Sequence, residues 1–309
     1  MSLTFTKALT TGLRVTDSVR KNSPKEQVLS YYEKAGPDYE VWSRKFNMHF
    51  GYYEQGVSPF RREALLENMN RKVLSTLGIK DTDQMLIDMG CGLGGTLRFA
   101  ARNYPHLELK GVTIVPWQIK KGNQLNKAEG LNRAIQLLQE DYSHTSIPDN
   151  SVDLVLAIES SCYAGGTDKG DLLSEIHRIL RPGGRFVVAD GLLRHRQPMN
   201  YLVKNIYRRL CDSWALSGLG VLPDMERTLN ALGFEEMRSE DISWNVAPSV
   251  AHVPGTVLFF LIRQLLFGKE KMNKERWDNL RSPLLTIIIG LVRSHFGYYL
   301  ISGTKQSIL

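Results

Sequence analysis

A chain of 309 residues, 42% hydrophobic and 23% charged, is long enough for one large domain with a well-buried core and an appended cap. A formal charge of +7 suits an anionic partner, but RNA-binding motifs, zinc-finger spacings and long basic tracts are missing, so a nucleic-acid partner is not expected. Three widely separated cysteines, Cys91, Cys162 and Cys211, indicate neither a disulfide framework nor a metal site, and they fit a reducing cytoplasm.

Met1 to Lys21 is rich in Thr and Ser and carries Lys7, Arg14, Arg20 and Lys21 against one acid, Asp17. It reads as an amphipathic N-terminal helix packed on the domain or on a neighbouring subunit, which leaves a homo-oligomer open; a transit peptide is the alternative. With no secretory core and no run of about 18 apolar residues, no membrane-spanning helix is expected. Residues 24 to 60 are unusually aromatic: Tyr31, Tyr32, Tyr39, Trp42, Phe46, Phe50, Tyr52, Tyr53 and Phe60, with His49 and Gly51 breaking a simple helical pattern. Large rings of this kind bury area, and the stretch is expected to form a helical lid, residues 1–80 together with the helix from Pro59 to Leu77 that ends at Gly78.

Leu86 to Gly95 is an apolar strand ending in Asp88, followed by glycines at 90, 92 and 94 and then by a helix from Thr96 to Tyr104. Without a Cβ the backbone can turn sharply there and let a ligand lie against its amides. A dinucleotide fingerprint needs a different glycine spacing. A carboxylate inside the turn disfavours a pyrophosphate and suits a cation such as an amino-acid ammonium group.

Further strands are expected at 107–113, 135–138 and 154–158, the last almost purely apolar as a buried parallel strand should be. A helix from Gln118 to about Gly130 joins the first two. Asp141, just past the third strand, is placed to accept a hydrogen bond from an adenine amino group, with Tyr142 beside it. Glu159 and Tyr163 follow the carboxyl end of the fourth strand, where open α/β sheets keep their active sites. A helix over 168–180 leads to a turn at Arg181 to Gly184 and a strand at 185–190. Helices at about 199–217 and 223–232 and a strand at 234–242 come next. Strongly apolar helices at 254–267 and 282–294 then precede a closing strand at 298–304. Each apolar helix is too short to span a bilayer. They read either as a cap over a greasy chamber or as elements that also touch a membrane surface, whose anionic lipids would attract Lys269, Lys271, Lys274 and Arg276.

The form Leu-Ile-Asp-Met-Gly-Cys-Gly-Leu-Gly-Gly at 86–95 resembles motif I of the class I S-adenosylmethionine-dependent methyltransferases. His49-Phe-Gly-Tyr-Tyr53 is similar to a stretch ahead of motif I in sterol and tocopherol methyltransferases. Gly111-Val-Thr-Ile-Val-Pro-Trp-Gln118 resembles the sterol, tocopherol and cyclopropane fatty acid branch, and Leu-Arg-Pro-Gly-Gly-Arg at 180–185 resembles the segment before strand five. The resemblance implies a Rossmann-like, seven-stranded α/β sheet with helices on both faces, a core over 81–244, an apolar insert over 245–295 and a last strand within 296–309. It implies S-adenosylmethionine as cofactor, held by Asp88, Gly90, Gly92, Gly94, Asp141 and Tyr142, with Thr113 and Gln118 in place of the acid that usually meets the ribose.

The expected reaction is methyl transfer to carbon of an apolar isoprenoid-type molecule, a sterol or prenyl chain, by way of a carbocation. Glu159, His49, Tyr52 and Tyr163 are the candidate catalytic residues, and Phe50, Trp214 and Phe259 the candidate substrate contacts. Ring methylation of a tocopherol-like phenol and a non-catalytic binding protein are the alternatives. A cyclopropane synthase is less well supported, because the loop after strand four reads Ser160-Ser-Cys-Tyr163.

Overall fold

Strand β1 (Met85–Met89) lies near the middle of a seven-stranded sheet and pairs in parallel with β2 (Glu108–Thr113) on one side and β4 (Val152–Ile158) on the other. The computed structural model describes residues 23–268 and 271–307, so the N-terminal helix expected over Met1 to Lys21 and the lysine at 269 lie outside them. Sheet order is β3-β2-β1-β4-β5-β7-β6, with β3 (Ile135–Gln139), β5 (Leu180–Leu193), β6 (Phe234–Asp241) and β7 (Phe296–Lys305). Only β7 runs antiparallel, to both of its neighbours. The chain leaves β1 toward β3 and returns through β4 toward β5, so the loops beyond the carboxyl ends of β1 and β4 diverge and open a crevice.

The helices between strands follow the expected order: α4 (Gly95–Asn103), α5 (Pro116–Ala128), α6 (Gly170–Ile179), α7 (Tyr201–Ser213) and α8 (Leu222–Ala231). Every residue of β4 is buried, as its unbroken apolar run requires when helices cover both faces. Ahead of the sheet stand α1 (Pro24–Ala35), the single turn α2 (Tyr39–Trp42) and α3 (Arg62–Leu77), which ends on Gly78 in the left-handed conformation. Helix α1 begins with a reciprocal cap, Ser23 Oγ accepting from the Glu26 N–H and Glu26 Oε2 from the Ser23 N–H, with Pro24 at its first position. That fixes where the lid helix starts.

Three expectations need correction. The turn at Arg181 to Gly184 is absorbed into β5: Val152 pairs with Leu180 and the register then jumps to Leu154 with Arg185, so these residues form a bulge with Gly183 at φ 76°. The last apolar helix, α11 (Lys274–Leu291), starts eight residues before 282, because Asn273 caps it through the Arg276 N–H and Pro283 is tolerated inside it. An unexpected helix, α9 (Ser243–Val250), precedes α10 (Val253–Phe267). Together they make Ser243–Phe267 one stretch of 25 residues that is long and apolar enough to cross a membrane by length and composition alone, although each of the two helices taken singly is too short to do so, as expected.

The three helices between β6 and β7 clasp the lid. Arg276, expected at the surface, is buried and pairs in a fork with Asp38 at 2.8 and 2.9 Å. Tyr31 donates to Asn279 Oδ1 at 2.6 Å, and Lys34 pairs with Glu275 at 2.7 Å. Removing one partner of a buried, bidentate pair leaves the other charge desolvated. Arg276→Ala should therefore lower stability by about 3 kcal/mol, read as a reduced urea midpoint, whereas Lys34→Ala at the exposed pair should change it by less than about 1 kcal/mol.

Candidate active site

The ends of β1 and β4 are knitted together at Gly90 and Ser160. Gly90 has φ 95°, and a Cβ there would lie 2.4 Å from the Ser160 Cβ. Ser160 Oγ meanwhile donates to the Met89 carbonyl at 2.5 Å. The N–H groups of Gly90 and Cys91 both go to the Val112 carbonyl, which turns the chain across the end of β2. Only glycine satisfies both the positive φ and the close approach. The crevice so formed is a cavity of about 470 Å³.

Asp88 sits at its floor. It is 3% exposed, and its carboxylate has no hydrogen-bond or ionic partner among the described residues, so burial pushes it up to about 8. Thr113 and Gln118 line the same cavity, buried and joined by a 2.6 Å bond from Thr113 Oγ1 to Gln118 Oε1. Asp141 accepts from the Ser143 N–H at 2.9 Å and pairs with Lys25 of the lid. Burial alone would raise Asp141, but these two donors outweigh it and hold the group below its ordinary value. Tyr142 lines the wall and donates to the Ser160 carbonyl at 2.9 Å. Gly94 is set back: it caps α4 in the left-handed conformation without lining the cavity, so its contribution is to start the helix.

Glu159 occupies a backbone conformation few non-glycine residues adopt, φ 48°, which turns it from the end of β4 into the cavity. One carboxylate oxygen, Oε1, accepts from the Phe50 N–H at 2.7 Å and the Tyr298 hydroxyl at 2.8 Å; Oε2 has no partner among the described residues. Burial raises Glu159 to about 8, opposed by those two donors and reinforced by Asp190. Tyr163 and Tyr32 share a 2.7 Å hydroxyl bond on the lid side of the cavity, and both are driven well above the usual tyrosine value by burial. His49 also lines the cavity, yet Nδ1 lies 2.8 Å from the Phe50 carbonyl and Nε2 3.0 Å from Asn70 Oδ1. Burial lowers its pKa. With both nitrogens engaged, His49 is a poorer base than Glu159.

Four candidates are placed elsewhere, correcting the expectation that they face the reacting groups. Tyr52 packs against Met69 and Val73, with the Lys72 ammonium 5.5 Å from its ring. The Phe50 ring stands edge-on to Trp42 at 5.7 Å, and only its N–H reaches the site, through Glu159. Trp214 belongs to a small cluster with Leu210 and Phe296, and Phe259 is exposed on α10. Sequence reasoning missed Tyr32, Met48, Ser160 and Ser217, which do line the cavity. Tyr32 and Met48 lay in the aromatic stretch already singled out, but nothing in the sequence marked Ser217.

A family model described as a methyltransferase domain matches residues 87–188. The cycloartenol-C-24-methyltransferase of Arabidopsis thaliana is 34% identical over 226 residues, which cover 72% of this chain and 65% of that protein. The probable chloroplastic tocopherol O-methyltransferase of Oryza sativa subsp. japonica is 29% identical over 237 residues, covering 72% and 64% respectively. The chain thus spans 64–65% of the length of these two curated relatives. Among solved structures, the cyclopropane synthase MmaA2 from Mycobacterium tuberculosis matches with a TM-score of 0.77 at 17% identity, covering 91% of this chain and 98% of that one, and so shares its fold.

Asp88 and Glu159 give the protein without ligand a pH signature. Both carboxyls are raised to about 8, so between about pH 4 and pH 8 the folded chain holds protons that the unfolded chain has released, and stability falls as pH rises through that window. Asp88→Asn removes one of the two. In thermal melts the variant should exceed the parent by roughly 1–3 kcal/mol at pH 8 and approach it at pH 4. An equal difference at both pH values would contradict the assignment.

Proposed function

Since the chain belongs to the class I S-adenosylmethionine-dependent methyltransferases, we propose that it uses S-adenosylmethionine to methylate a carbon of an apolar isoprenoid-type molecule, a sterol or prenyl chain. The observation that carries this reading is the pairing, in one cavity, of an uncompensated Asp88 carboxylate on a glycine cradle with a second carboxylate, Glu159, that keeps one oxygen free. A buried carboxylate without a partner is costly unless a cation completes it. An ammonium group at Asp88 would do so. Gly90 and Gly92 would hold the amino-acid part, Thr113 and Gln118 the ribose, and Asp141 with Tyr142 the adenine.

The cofactor, when bound, supplies an electrophilic methyl group on a cationic sulfur whose leaving group departs neutral. The chain therefore has no need of a strong acid at that sulfur. Its residues orient the acceptor and keep water out. The lid does the latter: Val28 and Tyr32 from α1, and Phe46 and Met48 from the segment after it, line the cavity opposite the sheet. An alkene acceptor becomes cationic as its carbon is methylated. The ionised form of Glu159, which its raised pKa makes dominant only above about pH 8, then stabilises that charge, and its free Oε2 takes the proton whose loss restores the double bond. The Tyr298 hydroxyl and the Phe50 N–H fix Oε1 and so aim Oε2. The relative named for cycloartenol C-24 methylation supports this reading.

Ring methylation of a tocopherol- or quinol-like phenol is the second reading; the relative named as a probable tocopherol O-methyltransferase supports a phenolic acceptor, and the same Glu159 could take its phenolic or ring proton. Incubation of the protein with labelled S-adenosylmethionine and panels of sterols, prenyl diphosphates and prenylated quinols separates the two. Label on a sterol or prenyl chain is expected, label on the quinol selects the second reading, and label on a polar metabolite alone contradicts both. Glu159→Gln should keep cofactor affinity and lower turnover about 10²-fold, while Asp141→Ala should weaken cofactor binding about tenfold. Unchanged turnover in the first variant would remove Glu159 from the mechanism.

A further inference from the structure

Helix α10 is apolar over most of its surface, interrupted by Arg263 and Gln264, and a helix of that kind is normally either fully buried or in lipid. Here it is neither. Val253 and Phe260 are its buried residues, the Phe260 ring lying under the Arg276 guanidinium at 5.5 Å. On the other side Leu258, Phe259, Ile262, Leu265 and Leu266 follow the spacing of a single helical stripe, and all five are exposed, Leu265 at 86%. Phe267 continues the patch to the end of the helix at 76% exposure. Trp277 of α11 is also partly exposed, with the Arg281 guanidinium 5.6 Å above its ring.

We infer that α10, together with the turn that follows it and the start of α11, docks this protein onto an anionic lipid surface. The charges choose this occupant. Arg263 on α10, Lys271 in the turn after it, and Lys274 and Arg281 on α11 are exposed, and of the described acids in this stretch, Glu275 is paired with Lys34, leaving Asp278. In a symmetric contact with a second copy these cations would face one another. The segment Met1 to Lys21, with four cations and one acid, would meet the same repulsion. Anionic headgroups complement the cations while the stripe enters the acyl boundary.

The helix lies on the membrane instead of crossing it. Its 15 residues span about 22 Å against a hydrocarbon core of about 30 Å. Extending the span backward would require α9 to leave the protein, where Val246 and Ser249 are buried and Ser249 Oγ accepts from the Gly51 N–H at 2.7 Å.

Sedimentation of the full chain with vesicles tests this without reference to catalysis. The parent should pellet with phosphatidylcholine vesicles containing phosphatidylserine, far less with phosphatidylcholine alone, and less as salt is raised. Leu265→Ser with Leu266→Ser, both at exposed positions, should cut partitioning about tenfold or more at an unchanged melting temperature. Lys271→Glu with Arg281→Glu should abolish the preference for phosphatidylserine. Three results would overturn the inference: a parent that stays in the supernatant with phosphatidylserine vesicles, unchanged partitioning of the serine variant, or a dimer in size-exclusion that the serine variant splits while no vesicle binding is seen, which would assign the stripe to a second copy.

Discussion

Asp88, one residue before the end of β1, has its side chain almost wholly buried and without a donor or cation among the described residues. Most of the site exists to produce that situation. Gly90 can turn only because it lacks a Cβ, Ser160 fills the space a Cβ would need, and the divergence of the loops after β1 and β4 keeps other side chains from reaching in. Left empty, such a group is held protonated by desolvation. A cation changes the sign of its contribution, so the same carboxylate that weakens the empty fold strengthens the occupied one. The proposed preference for a cationic amino-acid ligand over a pyrophosphate thus rests on a single strand end.

The second carboxylate is prepared differently. Glu159 has one oxygen fixed by the Phe50 N–H, contributed by the lid side, and by the Tyr298 hydroxyl, contributed by the last strand. The placement of the segment after the lid helices and the aim of Glu159 therefore share one hydrogen bond. The lid is in turn gripped by α11 through Asn279, Glu275 and Arg276. Those residues stand more than two hundred positions from their partners, so the chain's last helices help to set the geometry of its first. An apolar, outward-facing α10 next to this grip puts the lid anchor beside the surface from which an apolar substrate would come.

Much of this was legible in the sequence, for reasons that differ by element. The unbroken apolar run of β4 and the glycines after β1 carry local signals strong enough to locate Asp88, Gly90, Gly92 and Glu159. Asp141 follows from its place just past the carboxyl end of β3, whereas Thr113 and Gln118 come only from the resemblance of the stretch after β2 to the sterol and tocopherol branch. The aromatic residues were harder. Neighbours such as Tyr31 and Tyr32 serve different ends, one bonding Asn279 and the other lining the cavity, and composition does not say which ring faces which way. In α10 the absence of a polar side hid which face would be buried, so Phe259 was assigned inward when it points out. Arg276 looked like a surface cation because its partner, Asp38, is remote in sequence. The bulge at Arg181 to Gly184 reads as a turn locally and becomes strand only once Val152 pairs with Leu180.

Site-specific carbon-13 NMR of the Asp88 and Glu159 carboxyls across a pH titration, with and without S-adenosylmethionine, tests the central claim most directly. Both carboxyls should titrate near pH 8 in the empty protein. On addition of the cofactor, Asp88 alone should fall to or below the ordinary carboxylate range, about pH 4, while Glu159 stays raised. An Asp88 that already titrates near pH 4 when empty, or that does not respond to the cofactor, would contradict the account.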